Sequence, residues 1–201
     1  MEYTSIKRLM DLTFSIIFLI LFSPILIFLI IVLIPLTKNK PLYIQYRPGK
    51  NEKLFIHFKL RSMTMETDDF GNMLEDEKRL RWWGRILRKT SLDELPQLIN
   101  VLMGDMSLIG PRPLLIDYLK LYNKTQMRRH EIKPGITGWA QVNGRNSISW
   151  EEKFKLDVWY VDNFSFWLDI KILLLTLIMV FQRTGINQDG QATREKFTGY
   201  N

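Results

Sequence analysis

The sequence contains no cysteine and only two histidines, His57 and His130. The absence of cysteine excludes disulfide bonds and thiol nucleophiles, and it is compatible with a reducing compartment. Neither a G-x-x-x-x-G-K-S/T loop nor an H-E-x-x-H motif occurs, so the sequence does not support a P-loop ATPase or a zinc hydrolase. Any catalytic chemistry must therefore be sought among other groups, and the carboxylates are the first candidates.

Acidic residues are outnumbered, with 21 Asp and Glu against 28 Lys and Arg and a formal net charge of +7. Such a balance favours anionic partners, including phosphates, nucleic acid and lipid headgroups. The six tryptophans and twelve phenylalanines, many of them beside basic residues, favour a membrane interface. Nucleic acid fits less well, because the basic residues interleave with apolar ones beside a long apolar segment.

Charge is absent from Leu12 to Leu36, a run of 25 residues. This run exceeds the roughly 20 residues that a helix needs to cross a bilayer. A cleaved signal peptide is not expected, because the run is too long and no small-residue cleavage site follows it. The sequence therefore predicts a membrane-bound protein.

The Ser23-Pro24 pair lies at the centre of this apolar run. Proline removes one helical hydrogen bond and favours a break, which leaves two arms of roughly 17 Å each, about half the hydrocarbon thickness. Basic residues flank both ends, with Lys7 before the run and Lys40 after it. Because this pattern gives no clear direction, a kinked spanning helix and a re-entrant helix are equally compatible with the residues alone.

The rest of the chain alternates short strand and helix patterns. Pro41 to Leu60 predicts a β-hairpin around a Pro-Gly turn. Glu75 to Lys89 predicts an amphipathic helix that lies either on headgroups or in the core. Lys133 to Trp150 reads as a glycine-rich loop. Further helices are predicted over Leu114–Arg129, Glu151–Val161 and Ile170–Phe181. The fold class is therefore α+β and mainly helical, and the last helix is too short to span a membrane.

The stretch "TSLDELPQL" places Asp93 beside Glu94. Ser91 and Glu94 have the spacing of a capping box, and acidic residues are favoured in a first helical turn, so these residues by themselves fit a helix cap. Pro96 complicates that interpretation, because it would lie in the second turn of such a helix. The alternative is a helix that begins near Pro96 and leaves both carboxylates in the preceding turn.

Basic residues near the carboxylates suggest a second interpretation. Arg88 precedes the pair, and Arg112 and Arg145 lie in loops rich in glycine and proline, where a side chain can point into a cleft. The planar fork of arginine suits phosphate oxygens, so arginines around carboxylates indicate phosphoryl chemistry with a divalent cation. A carboxylate can itself be the nucleophile and form an acyl phosphate.

Several long motifs resemble a known family. The segments are "RSM" after the hairpin, "SLDELPQLINVLMGDMSLIGPRPLL", "RRHEIKPGITGWAQVNGRNSISWEEKF" and "GQATREKF". In this order they resemble the bacterial sugar transferases known as monotopic phosphoglycosyl transferases. The resemblance covers nearly the whole chain.

The resemblance implies transfer of a phospho-sugar from a UDP-sugar donor to polyprenol (undecaprenyl) phosphate, with release of UMP. It also implies Mg²⁺ and a covalent intermediate, in which Asp93 is the nucleophile and Asp93 and Glu94 are the metal site. Residues matching polar positions of the family core are expected to bind substrate or phosphate: Lys59, Arg88, Arg112, Arg145 and Asp157.

The resemblance further implies a re-entrant membrane helix, broken at Ser23-Pro24, over residues 1–40. Residues 41–201 would form a catalytic domain on the cytoplasmic face of the bacterial inner membrane. The resemblance is greatest to members that begin protein N-glycosylation, which favours UDP-diacetylbacillosamine or a UDP-N-acetylhexosamine as the donor.

Two other functions fit part of the sequence. A non-catalytic adaptor that binds anionic lipid would explain the charge and the apolar run, but it needs no adjacent carboxylates. A metal-dependent glycosyltransferase that moves only the sugar would release UDP in place of UMP. The identity of the released nucleotide separates these hypotheses.

Overall fold

The computed structural model describes residues 3–144, 147–182 and 195–199. Helices predominate, and the strands form two small sheets. The elements in chain order are α1 (Tyr3–Leu36), β1 (Leu42–Pro48), β2 (Leu54–Leu60), α2 (Asp76–Arg79), α3 (Trp82–Thr90), α4 (Gln97–Met103), β3 (Ser107–Ile109), α5 (Lys124–Met127), β4 (Gly135–Thr137), α6 (Trp139–Val142), α7 (Trp150–Asn163) and α8 (Phe166–Gln182). This architecture confirms the predicted mainly helical α+β class.

The predicted hairpin is confirmed. Strands β1 and β2 pair antiparallel from Leu42 opposite Leu60 to Pro48 opposite Leu54, and a short 3₁₀ turn at Lys50–Glu52 joins them. Because side chains alternate across a strand, every second residue of each strand lies on the same face. The face that carries the buried Phe55 and His57 points into the protein.

A second sheet has one of its two strands in Lys133–Trp150, for which the sequence predicts only loop. Strands β3 and β4 are parallel, with Ser107 opposite Gly135 and Ile109 opposite Thr137, and α6 follows β4. The backbone of Gly135 passes so close to Gly110 that an added Cβ would lie 2.0 Å from the Gly110 amide nitrogen. Only glycine permits this close contact between the two backbones. Strand β4 therefore forms in a glycine-rich stretch whose local sequence pattern does not predict a strand.

Two helix predictions need correction. The helix expected over Glu75–Lys89 is divided into α2 and α3, because Leu80 has the non-helical angles φ −80° and ψ 86°. The helix expected over Leu114–Arg129 is wrong: this range holds a 3₁₀ helix at Ile116–Lys120, the short α5 and a second 3₁₀ turn. Asn123 starts α5 anew, because its side chain accepts a hydrogen bond from the Gln126 amide in a capping box. Helices α7 and α8 confirm the other two predictions.

The apolar run lies within α1, a single helix of 34 residues that contains Pro24. By length and composition this helix is able to cross a membrane. Pro24 has no N–H to donate to the carbonyl of Ile20, and the Ser23 hydroxyl donates to that carbonyl at 2.9 Å instead. The Ser-Pro pair thus leaves no unpaired carbonyl at its centre, which would be costly in hydrocarbon.

Both ends of α1 dock on the same folded domain. Near the N-terminus, Arg8 donates to the carbonyls of Val101 (2.6 Å) and Leu102 (2.9 Å) at the end of α4. Near the C-terminus, Leu33 is buried with Leu60 and residues of α3. The break expected at Ser23-Pro24 is absent from the backbone, because α1 is one helix from Tyr3 to Leu36. The re-entrant arrangement stays a prediction, which the contacts of both helix ends with the same domain support.

We predict that both ends of α1 face the cytoplasm. Single cysteines replacing Thr4 or Lys40, both exposed, should react with an impermeant thiol reagent only after the cells are permeabilised. The natural chain supplies a cysteine-free background, and Asp69→Cys in an exposed loop reports the side of the catalytic domain. Labelling of one end in intact cells, with the other end protected, would contradict the re-entrant arrangement.

Candidate active site

The paired carboxylates lie in a 3₁₀ turn at Leu92–Glu94, between α3 and α4. Ser91 ends α3 in the left-handed conformation, with φ 56°, and it makes no capping hydrogen bond through its side chain. Helix α4 begins at Gln97, directly after Pro96. The capping-box interpretation is therefore wrong, and the alternative that places the carboxylates in the turn before Pro96 is confirmed.

Glu94 is held by two cations from distant parts of the chain. Lys59 Nζ on β2 lies 2.8 Å from Glu94 Oε1. Arg112, in the loop after β3, donates from Nη1 to Oε2 at 3.3 Å and from Nη2 to Oε1. Although burial by itself raises the pKa of Glu94, Arg112 and Lys59 together hold that pKa well below its usual value. Glu94 is therefore an ionised, immobilised carboxylate.

Asp93 has a different environment although it is adjacent. Its side chain is buried, and Oδ2 lies 3.6 Å from Lys59 Nζ. Within the described parts of the chain, neither carboxylate oxygen accepts a hydrogen bond. Burial raises the pKa of Asp93, and the charge of Lys59 opposes this shift. Glu94 is thus a fixed anion, whereas the oxygens of Asp93 remain available to a ligand.

Arg88 is a third cation beside the dyad. It lies in the last turn of α3, and its Nε donates to Ser62 Oγ at 3.0 Å. Burial lowers the pKa of Arg88, and the charge of Asp93 raises it. The structure therefore brings Lys59, Arg88 and Arg112 together around the dyad, as expected for a site that binds phosphate.

Asp157 lies behind the site, away from the dyad. On α7 it pairs with Arg129, whose Nη2 and Nε are 2.8 and 3.1 Å from Asp157 Oδ2. Arg129 in turn donates to the backbone carbonyl of Arg112 at 2.7 Å. This position differs from the expected contact with substrate: Asp157 supports the Arg112 loop through Arg129. Arg145, the remaining candidate, lies outside the described residues.

Arg129 was not singled out from the sequence. It stands in the basic run Arg128–His130, where nothing local distinguishes it from Arg128. In the fold, Arg129 is buried, whereas Arg128 is only half-buried. The two arginines differ only in how deeply they are buried, and no local sequence pattern predicts this difference.

A cavity of about 400 Å³ adjoins the dyad. One wall comes from α1 and another from α8, and most of the lining is apolar: Phe14, Phe18, Phe22, Leu173, Leu177 and Val180 are examples. Glu94, Arg112 and Gln141 form part of its polar lining. Both amide atoms of Gln141 are buried without a hydrogen-bond partner in the described residues. The cavity therefore combines an extensive apolar wall with polar groups near the dyad.

The residues present fit Mg²⁺ only in part. No group of three or more His, Asp or Glu able to hold a metal occurs in residues 3–144, 147–182 and 195–199. Both oxygens of Glu94 already face cations, so Glu94 is a poor ligand. The oxygens of Asp93 accept no hydrogen bond from a described residue, and Mg²⁺ commonly binds through one or two carboxylates completed by substrate phosphates and water. Asp93 fits a metal that a bound diphosphate would complete.

Together, these features are those of a membrane-associated protein whose site suits a phosphate-bearing ligand. Residues 2–183 match the family model of the bacterial sugar transferases. The chain belongs to this family, and it is therefore a transferase. This conclusion sets aside the non-catalytic adaptor.

Three relatives illustrate the similarity. An uncharacterised sugar transferase, EpsL, of Bacillus subtilis is 57% identical over 195 residues, which are 96% of each chain. An undecaprenyl-phosphate galactose phosphotransferase of Salmonella typhimurium is 39% identical over 90% of this chain and 41% of its own length. A UDP-glucose:undecaprenyl-phosphate glucose-1-phosphate transferase of Klebsiella pneumoniae is 40% identical over 87% and 40%. The chain thus spans about two-fifths of the latter two.

We predict that Arg129 and Asp157 act as a structural pair. Arg129→Met should lower the free energy of unfolding by about 3 to 5 kcal/mol, because Asp157 is left charged and buried without a partner. Adding Asp157→Leu should recover most of this loss. Denaturant unfolding in detergent measures both changes.

The neighbouring Arg128→Met is the matched control for this prediction. Arg128 forms only exposed ion pairs, so its removal should change stability much less. Equal losses for the Arg128 and Arg129 variants, or a double variant no more stable than Arg129→Met, would contradict the assignment.

Proposed function

We propose that the protein transfers a sugar phosphate from a UDP-sugar to undecaprenyl phosphate and releases UMP. The observation that carries this proposal is the contrast within the dyad. Glu94 is held by Lys59 and Arg112, whereas the oxygens of the buried Asp93 accept no hydrogen bond from any described residue. The names of the Salmonella and Klebsiella relatives, which pair an undecaprenyl phosphate with a sugar phosphate, support the same reaction.

The first half-reaction forms an acyl phosphate. An Asp93 carboxylate oxygen attacks the β-phosphorus of the donor, and the bond to the oxygen bridging the two phosphates breaks. UMP leaves with that electron pair, and the sugar phosphate remains on Asp93. Lys59 and Arg112 offset the negative charge that gathers on the phosphorus oxygens, and Glu94 keeps both cations in position.

The second half-reaction regenerates the carboxylate. A phosphate oxygen of the lipid acceptor attacks the same phosphorus, the bond to Asp93 breaks, and a polyprenol diphosphate sugar leaves. The cavity between α1 and α8 suits this acceptor, because its aromatic and aliphatic walls fit an isoprenoid chain. Arg112 at its edge then lies where the acceptor phosphate is needed.

Mg²⁺ is part of the proposal. When bound, it would offset charge on the donor diphosphate and stabilise the leaving group. Asp93 is the residue here that would hold it. Glu94, expected from the family resemblance to share the metal, is better placed to orient Lys59 and Arg112.

The membrane position follows from exposed apolar residues beyond α1. Trp82 is 71% exposed and Trp167 is 78% exposed. Tryptophan favours the interface between headgroups and hydrocarbon. We place the catalytic domain at this depth on the cytoplasmic face of a bacterial inner membrane, where it would begin glycoconjugate assembly.

The sugar is the finer part of the proposal. The family resemblance favours diacetylbacillosamine or an N-acetylhexosamine and a role in protein glycosylation, whereas the relatives' names include galactose and glucose. A panel of these UDP-sugars, compared by kcat/KM, identifies the donor.

We predict that the purified protein releases UMP from a UDP-sugar when undecaprenyl phosphate is present. Chromatographic separation of UMP from UDP measures the outcome. Release of UDP would show that only the sugar moves and would support the glycosyltransferase hypothesis. The same reaction in detergent without undecaprenyl phosphate is the control for background hydrolysis of the UDP-sugar.

We predict that UDP-sugar alone adds one sugar-phosphate mass to the peptide that contains Asp93. The nucleophile is a carboxylate, so Asp93→Asn should abolish the adduct, whereas the exposed Asp117→Asn should retain it. Undecaprenyl phosphate should discharge the adduct, and the kinetics should be ping-pong. Turnover only through a ternary complex, with no adduct trapped by rapid quenching, would rule out Asp93 as the nucleophile.

A further inference from the structure

The inward face of the hairpin carries polar atoms that lack partners. Gln45 Oε1, Arg47 Nε and His57 Nδ1 are buried, and none has a hydrogen-bond partner within the described parts of the chain. Gln45 lies directly opposite His57, and Arg47 is the next residue of β1 on the same face. Buried polar atoms are nearly always paired in native proteins, so three orphans on one face indicate a ligand.

Arg47 is the most informative of the three. Among residues 3–144, 147–182 and 195–199 it forms no ion pair with a carboxylate. Glu94, in the neighbouring dyad, is engaged by Lys59 and Arg112. Arg47 is half-buried, and its Nε is fully buried without a partner in the described residues. Burial lowers its pKa, because the charged form is less well solvated there. The position therefore suits an anion that arrives with a substrate.

The hairpin places this cation beyond the dyad. Lys59, which contacts Glu94, and His57 share the inward face of β2, and Arg47 stands opposite Phe55 at the far end of that face. Lys59 and Phe55 are four residues apart, or about 13 Å along the strand at roughly 3.3 Å per residue. The polar groups thus form a row that starts at the dyad and runs outward.

Arg112 connects the two ends of this row. Its charge adds to the effect of burial in lowering the pKa of Arg47 and that of His57, so it lies near both while it is bound to Glu94. The 3₁₀ helix Ile116–Lys120 also contacts β1. The row is therefore enclosed on one side by the loop that carries Arg112.

We propose that Arg47, with Gln45 and His57, binds the nucleoside monophosphate half of the donor, with the guanidinium on the phosphate that leaves with uridine. This inference rests on the proposed function, in which the β-phosphorus lies at Asp93. In the donor, the leaving phosphate and then the nucleoside come after the β-phosphorus. In the hairpin, the row of polar side chains likewise leads from Lys59 at the dyad to Arg47 at the far end.

Each residue of the subsite has a matching chemistry. The arginine fork donates two parallel hydrogen bonds to a phosphate. The Gln45 oxygen accepts from a ribose hydroxyl or the uracil N–H. Burial, followed by the charges of Lys59 and Arg112, lowers the pKa of His57 to about 3. His57 is therefore neutral at physiological pH, and it adds no positive charge to those of Arg47 and Arg112.

The first test replaces Arg47 by methionine, which keeps an apolar stem and removes the charge. The inhibition constant of UMP against UDP-sugar should rise about tenfold or more, the loss expected for a charge-assisted hydrogen bond. The KM for undecaprenyl phosphate should stay unchanged. The melting temperature of the free protein should hold or rise, because a partly buried charge without a carboxylate partner among the described residues is gone. A structural role predicts that it falls.

Lys53→Met is the matched control on the same hairpin. Lys53 is exposed just before β2, and its removal changes the net charge equally. The UMP inhibition constant should not respond to this variant. An equal rise in both variants would show that general electrostatic attraction, rather than a subsite, accounts for the effect, and it would overturn the proposal.

Direct binding of UMP to the Asp93→Asn protein separates this inference from the proposed function. Weaker UMP binding when Arg47→Met is added supports the subsite even if the wild-type protein releases no UMP, in which case only the proposed function fails. Release of UMP by the wild type with UMP binding unchanged by Arg47→Met leaves the function standing and overturns the subsite.

Two milder variants keep the test decisive if Arg47→Met does not fold. Arg47→Lys preserves the charge but removes the fork, and Gln45→Met removes one acceptor. Each should weaken UMP binding several-fold while leaving the KM for undecaprenyl phosphate unchanged. UMP binding equal to that of the wild type in both variants would overturn the proposal.

Discussion

The ion pairs of Glu94 with Lys59 and Arg112 are the interaction on which the site depends. They join three segments that are far apart in the sequence: strand β2, the turn that holds the dyad, and the loop after β3. Without this carboxylate, Arg112 would lose its hydrogen bonds to Glu94, and Lys59 would keep only the longer contact with Asp93. With it, both cations are fixed beside Asp93, whose oxygens accept no hydrogen bond within the described residues. Glu94 thus organises the charges around the other residue of the dyad.

Buried polar side chains hold both sides of this arrangement from behind. Asn100 on α4 is fully buried, and it bonds β2 on either side of His57, donating to the Ile56 carbonyl at 2.6 Å and accepting from the Phe58 amide at 3.2 Å. This fixes the strand that carries Lys59. On the other side, Arg129 fixes the carbonyl of Arg112. Preorganised charges need no rearrangement as charge develops on a reacting phosphate, and this is the usual source of electrostatic catalysis.

Helix α1 also helps to form the site. Asp11 on α1 is buried and accepts hydrogen bonds from the Leu108 amide (2.9 Å) and from Ser107 Oγ (3.0 Å) on β3. About one and two turns later along the helix, Phe14 and Phe18 line the cavity beside the dyad. The hydrogen bonds of Asp11 therefore fix the rotation of an otherwise apolar helix about its axis. In this orientation its phenylalanine side chains form one wall of the cavity. In the proposed reaction, this wall would hold the hydrocarbon chain of the lipid acceptor beside the dyad.

The sequence by itself determined the features that depend on neighbouring residues: the apolar segment with its Ser-Pro centre, the hairpin, α7, and a carboxylate pair in the turn before Pro96. Residues within a few positions of one another decide these features. Tertiary structure alone decided that Glu94 binds both cations and that Asp157 supports the Arg112 loop through Arg129. It also decided that Arg47 has no carboxylate partner among the described residues. Glu94 lies 35 residues from Lys59 and 18 from Arg112, and burial and ion pairing between such distant residues leave no local pattern.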